Sequence, residues 1–210
     1  GDKKARLVAT QHGMPEPGPS MFFSPSRPIA RLNRYLLSQR FDRLVLVSRD
    51  MRGKFIHDKQ FSPERTAFIH NGISLPALRP RFRTGPKAVV GSAGRLFPVK
   101  DYGLMVKIAR EFNVIGEIYF SLAGDGPEQP TIEMTVRGAG VSELFALKGN
   151  VEDMDSFYGE LDVYLNTSLH EGIPMTILEA MAHGLPVVAP KVGGIPEIIT
   201  DGVEGFLIPT

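Results

Sequence analysis

From Ala88 onward, short apolar runs alternate with segments of helical spacing, and no other regularity in the 210 residues constrains the fold as tightly. The runs Ala88–Ala93, Glu117–Ala123, Leu144–Gly149, Asp162–Thr167 and Leu185–Ala189 read as strands. Tyr102–Phe112, Glu128–Ala139, Met154–Tyr158 and the segment after Pro174 read as helices. A parallel crossover needs a helix to return the chain, so this alternation predicts an α/β fold: a parallel sheet covered on both faces. Ligands of such sheets bind at the carboxyl ends of the strands.

The first third carries a shorter version of the same pattern. Arg6–His12, Leu44–Ser48 and Thr66–His70 read as strands, the last closed by the turn Asn71-Gly72. Ser26 and Pro28 suit a helix start, followed by the stripe Ile29, Leu32, Leu36 and Leu37, and a short helix spans Asp50–His57. Leu75–Pro86 lacks periodicity, is rich in Pro and Arg, and reads as an interdomain linker. The division expected is residues 1–74, linker 75–86 and a domain over 87–210.

The stretch His170–Gly184, HEGIPMTILEAMAHG, concentrates the chemistry. An apolar strand precedes it, Pro174 suits the first helical position, and Gly184 suits the left-handed residue past a helix end. Strand, glycine turn and helix aim free backbone N–H groups and a positive dipole end above the strand tip, which favours a phosphate. Glu171 and Glu179 bind phosphate poorly but accept hydrogen bonds from ribose or sugar hydroxyls. Phosphate donors framed by two hydroxyl acceptors describe a nucleotide-sugar site. Seventy residues upstream, Arg95 and Lys100 flank a turn containing Pro98, where both cations can converge on a diphosphate.

Other features argue for structure. Asp153-Met-Asp155 fits an Asp-x-Asp metal motif, yet it opens a helix, where acidic residues cap and complement the dipole. Gly124-Asp-Gly126 lacks the third glycine of a dinucleotide loop and reads as a turn near the donor site. His170 and His183 have no metal-ligand partners at useful spacing. Ile177, Leu178 and Met181 form a core stripe. Zero cysteines exclude disulfides and thiolate metal sites. A net charge of +1 gives no reason to expect nucleic-acid binding. Arg27–Arg65 nevertheless holds ten Lys/Arg against four Asp/Glu, which reads first as a solvated helix face and second as a surface for an anionic acceptor or membrane.

Five blocks in order resemble the retaining nucleotide-sugar glycosyltransferases of the two-domain GT-B fold, family 4. They are Val8–Gly13, Ile69–Ile73, Gly94–Lys100, Ala123–Pro127, and His170–Glu179 with Val192–Glu197. The resemblance implies a Rossmann-like donor domain over 87–210, preceded by the C-terminal portion of an acceptor-side domain. It implies that Arg95 and Lys100 clamp the donor diphosphate, that Glu179 accepts from the ribose, and that Glu171 holds the transferred sugar with Gly172. Backbone from Ile173 through Pro174 and Met175 to Thr176 would meet sugar and phosphate, the segment around Val151 would receive the base, and His12 would reach the donor sugar.

The implied reaction moves a sugar from a UDP-, GDP- or ADP-sugar to a glycan or lipid-linked acceptor, with retention and without a metal or other cofactor. The setting would be cytoplasmic, at the inner face of the membrane, in bacterial polysaccharide or glycolipid synthesis. The family's first strands and last helices have no counterpart here, so these residues are expected to bind nucleotide, to self-associate and not to turn over alone. Two rivals are a phosphorylase on the same scaffold, against which a ribose-binding Glu179 argues, and a non-catalytic nucleotide-sugar binding module.

Overall fold

The computed structural model describes residues 6–13, 40–57, 61–76, 87–113 and 116–210. The helix expected after Ser26 and most of the expected linker lie outside the described residues. Contacts group the chain into two units, Gly1–Asn71 with Glu171–Ile173, and Gly72–His170 with Pro174–Thr210.

In the first unit, β1 (Val8–Gln11), β2 (Arg43–Leu46) and β3 (Thr66–Phe68) form a parallel sheet in that order. Helix α1 (Arg49–His57) follows β2, and its start is fixed by Ser48, whose buried hydroxyl oxygen accepts from the Met51 N–H at 3.0 Å. Met51 and Phe55 face inward from it. The basic residues of this region do more than solvate a helix face. Arg52 donates to the Thr66 hydroxyl and the Pro63 carbonyl, each at 3.1 Å. Arg43 and Arg65 donate to the carbonyls of Glu64 and Phe41, and Arg49 lies 5.1 Å from the Phe68 ring centroid. These cations brace the sheet ends.

The second unit holds six parallel strands in the order β6-β5-β4-β7-β8-β9. They are β4 (Ala88–Ala93), β5 (Ile118–Ala123), β6 (Phe145–Gly149), β7 (Val163–Leu165), β8 (Val187–Pro190) and β9 (Gly205–Ile208). Numbered within the unit this is 3-2-1-4-5-6, the doubly wound order, whose direction reverses between β4 and β7. Side chains alternate across a strand, so adjacent residues serve opposite faces. Val89, Tyr164 and Val187 join one core with Phe157, Tyr158, Ile177 and Ala180. Val90, Leu165 and Val188 join the other with Met105, Val106, Phe120 and Ile132. The first core is covered by α4 (Met154–Glu160) and α5 (Met175–Ala182), the second by α2 (Tyr102–Phe112) and α3 (Gln129–Ala139).

Several boundaries move for local reasons. β7 stops at Leu165 instead of Thr167, because the Asn166 side chain accepts from the Ser168 N–H at 3.0 Å and turns the chain. Pro174 is the cap before α5, with extended φ/ψ of −71° and 121°, and not its first helical residue. Gly184 takes the expected left-handed conformation past the helix, at φ 72°. In the expected stripe, Ile177 is fully buried, whereas Leu178 and Met181 are half-buried and Ala180 is the second core contact. Strand β9 and the short 3-10 turns at Pro63–Arg65, Pro98–Lys100 and Ile195–Glu197 have no clear sequence period and were not expected.

Asp153 caps α4: its carboxylate accepts from the Ser156 N–H at 3.0 Å and from the Ser156 hydroxyl at 2.6 Å. Asp153→Ala should lower stability by about 1 kcal/mol in urea unfolding, the ordinary worth of such a cap, with nucleotide binding unchanged.

Candidate nucleotide site

The carboxyl ends of β4, β5 and β6 are tied to one another by main-chain hydrogen bonds. The Gly94 N–H donates to the Ala123 carbonyl at 3.0 Å, and the Gly124 N–H to the Gly149 carbonyl at 2.7 Å. Gly124 has φ 139°, and a Cβ there would lie 1.9 Å from the Gly94 carbonyl oxygen. A side chain is thus excluded at Gly124, and a cavity of about 390 Å³ opens above the strand tips. Ala93, Gly94, Ala123 and Gly124 form its floor, and Arg95, Asp125, Asn150, Val151, Met154, Thr176 and Glu179 its walls. This volume falls within the range that holds small ligands, and the place is the one expected of a doubly wound sheet.

Helix α5 starts at the cavity wall. Among the described residues no side chain caps it, and Pro174 has no N–H to give, so the donors at its start are Met175, Thr176 and Ile177. Glu179 stands one turn further along α5. The hydroxyl of Tyr158, on α4, donates to its Oε2 at 2.7 Å. Below it, His183 Nδ1 donates to the Glu179 carbonyl at 2.7 Å, and Nε2 faces Asp155 Oδ1 at 3.1 Å, a bond that forms only with the doubly protonated ring. Asp153 and Asp155 thus serve α4 and His183, and among the described residues no group of three His, Asp or Glu side chains is placed to hold a metal ion.

Burial pushes the Tyr158 phenol far above its ordinary pKa of 10.0, with the nearby Tyr164 and the hydrogen bond to Glu179 acting in the same direction. A raised pKa in the folded state leaves stability unchanged below about pH 10 and lowers it above, as the unfolded chain alone releases the proton. Urea midpoints should therefore fall above pH 10, and less steeply in Tyr158→Phe.

Arg95 lines the cavity, its guanidinium 4.9 Å from the Phe97 ring centroid. Lys100 closes the 3-10 turn Pro98–Lys100, and its carbonyl accepts from the Thr167 hydroxyl at 2.8 Å. It is not among the cavity-lining residues, but its Cε would stand 3.9 Å from a Cβ on Gly94. The structure therefore brings Arg95, Val151, Thr176 and Glu179 to one cavity and sets Lys100 beside its floor.

His12, Glu171, Gly172 and Ile173 fall in the first unit. There the Asn71 side-chain amide donates to the Ile173 carbonyl at 2.9 Å, a use of Asn71 not foreseen from its reading as a turn residue. A Cβ on Gly172 would lie 2.9 Å from the His12 carbonyl oxygen and 3.0 Å from Val47 Cγ2, so only glycine fits there without displacement. Tyr158 and Met154 were not singled out as site residues beforehand. The Gly149-Asn150-Val151 segment pointed to the wall, but Phe157-Tyr158 in a seven-residue helix reads only as core.

The profile described as "Glycosyl transferases group 1" matches residues 87–210, and that described as "Glycosyltransferase Family 4" matches residues 2–76. The chain belongs to the family 4 glycosyltransferases and has the GT-B type of fold. It is 30% identical over 169 residues to the GPI3 subunit of the Saccharomyces cerevisiae phosphatidylinositol N-acetylglucosaminyltransferase, covering 75% of this chain and 37% of that protein. It is 27% identical to the GDP-mannose-dependent alpha-(1-6)-phosphatidylinositol monomannoside mannosyltransferase of Mycolicibacterium smegmatis, covering 97% of this chain and 56% of that one. Anabaena HepE, solved with UDP and glucose, superposes with a TM-score of 0.81 at 26% identity, over 97% of this chain and 58% of HepE. The chain thus spans well under two thirds of the length of these relatives.

Proposed function

We propose that the second unit binds the nucleoside diphosphate of a sugar donor, as half of an enzyme that transfers the sugar with retained configuration. The observation that carries this is the cavity at the β4–β6 tips, with Arg95, the uncapped start of α5 and Glu179 on its walls. Arg95, Lys100 and the α5 N–H groups would hold the diphosphate and stabilise the charge that grows on it as the sugar leaves. Glu179 would accept from the ribose diol, and Val151 and Asn150 would receive the base. Glu171, Gly172 and His12 would serve the transferred sugar, a role that rests on the motif resemblance. The UDP and glucose named with HepE support a nucleotide-sugar donor.

Relatives named for phosphatidylinositol and for a phosphatidylinositol monomannoside support a lipid-linked acceptor, which would bring the enzyme into peripheral contact with a membrane. No helix among the described residues is long and apolar enough to cross a membrane.

Titration calorimetry with UDP, GDP and ADP and their sugars tests the reading, which fails if none binds. Glu179→Ala should weaken the tightest nucleoside diphosphate about tenfold and its 2',3'-dideoxy analogue much less, since the loss is that of hydrogen bonds to a charged acceptor. Equal losses would refute the ribose role. Glu171→Ala should spare the nucleoside diphosphate and weaken only its sugar-bearing form.

A further inference from the structure

We infer that Tyr158 is a positioning residue for Glu179: its one hydroxyl proton fixes the carboxylate so that Oε1 is left for the ligand's diol. This rests on the ribose reading of Glu179 above and deepens it.

Two acceptors lie within reach of the Tyr158 hydroxyl, Glu179 Oε2 at 2.7 Å and the Thr176 carbonyl at 3.4 Å. A phenol has a single proton, and the shorter, charged acceptor takes it. The bond therefore engages Oε2, while Glu179 lines the cavity. The donor is rigid. Tyr158 is 1% exposed and packed among rings, with the centroids of Phe157, Tyr164 and His183 at 5.7, 6.0 and 5.0 Å. His183 holds the arrangement from behind: its ring packs against Tyr158 at a 30° tilt, donates to the Glu179 carbonyl and reaches Asp155 on α4. Glu179 is thus held at its carboxylate by Tyr158 and at its main-chain carbonyl by His183, both from the α4–α5 seam.

A free glutamate carries several rotatable bonds, and ordering them would lower the affinity for a diol. Tyr158 removes that cost before the ligand arrives. It also protects selectivity. With Oε2 already engaged by a donor, Oε1 is the oxygen left to the ligand, and a nucleotide without the diol leaves it unanswered. Tyr158 itself need not touch the nucleotide, and a merely structural tyrosine at this place would affect all ligands alike.

Calorimetry on the 210-residue chain separates these cases. The probe is whichever of UDP, GDP and ADP binds tightest, together with its 2',3'-dideoxy analogue. Tyr158→Phe keeps the ring and removes the proton. It should weaken the ribonucleotide about fivefold to tenfold, as loss of one charged hydrogen bond does, and leave the dideoxy analogue within twofold. If both ligands weaken equally, or neither does, while Glu179→Ala still discriminates them, the positioning role is overturned and the ribose reading stands. If Glu179→Ala does not discriminate them, the ribose reading fails and the proposal with it.

A second measurement needs no change at Tyr158. The chain has five tyrosines, so 13Cζ labelling gives few resonances, and that of Tyr158 is the one displaced in Glu179→Ala. In the unmodified protein it should move on adding the ribonucleotide and stay in place with the dideoxy analogue. A resonance that moves equally with both overturns the proposal.

Discussion

Gly124→Ala should cost the second unit about 3 kcal/mol or more and take most of its nucleotide binding with it. Two effects add. An L-residue at φ 139° is strained, and its Cβ would enter the Gly94 carbonyl oxygen at 1.9 Å. The oxygen cannot step aside, because the neighbouring main chain is committed: Gly94 donates to the Ala123 carbonyl and Gly124 to the Gly149 carbonyl. Urea unfolding of the variant measures the loss. A cost below about 1 kcal/mol would mean that the strand tips can spread, and that the cavity floor is softer than this packing requires.

Arg95→Ala should weaken the nucleoside diphosphate by about tenfold to a hundredfold and the bare nucleoside hardly at all, the loss of one or two charge-assisted hydrogen bonds. Arg95 lines the cavity and Lys100 flanks its floor, so Lys100→Ala is expected to act in the same direction by a smaller factor. Calorimetry with the diphosphate, the monophosphate and the nucleoside checks the pattern. The same titrations in EDTA and in magnesium should agree, because the cations come from the chain. Binding that appears only with magnesium would return the neutralising role to a metal.

The sheet of the second unit could be read from the chain because its strands are buried on both faces. Ala88–Ala93 and Ile118–Ala123 are apolar apart from the buried Ser92 and Ser121 and are bounded by turns, which leaves little choice of element. β9 could not be read in the same way. It is an edge strand, Phe206 and Ile208 stay exposed, and only Gly205 is fully buried, so its apolar pattern does not record its sheet face. At the site, charge and glycine spacing pointed to Arg95, Glu179 and the α5 start. Spacing could not show that Lys100 stands beside the cavity and not on its wall, because the 3-10 turn at Pro98–Lys100 sets that side chain's direction. Nor could it pair Tyr158 with Glu179. The two residues lie on different helices, and the contact exists only once α4 and α5 pack on one face of the sheet.

The main-chain floor has a bearing on how this protein could change its ligand. Gly94 and Gly124 offer no side chain to exchange, and any replacement at Gly124 collides with backbone. Ala93 and Ala123 are buried and belong to the core on the α4–α5 face. With the nucleotide seated as proposed, drift in its preference would be channelled away from the glycine floor and into the far wall. There, Val151 and Met154 present half-buried side chains at the mouth of β6 and the start of α4. A library confined to Asn150, Val151 and Met154 should recover variants with altered base choice that still fold, whereas one built on the glycine floor should mostly return protein that does not.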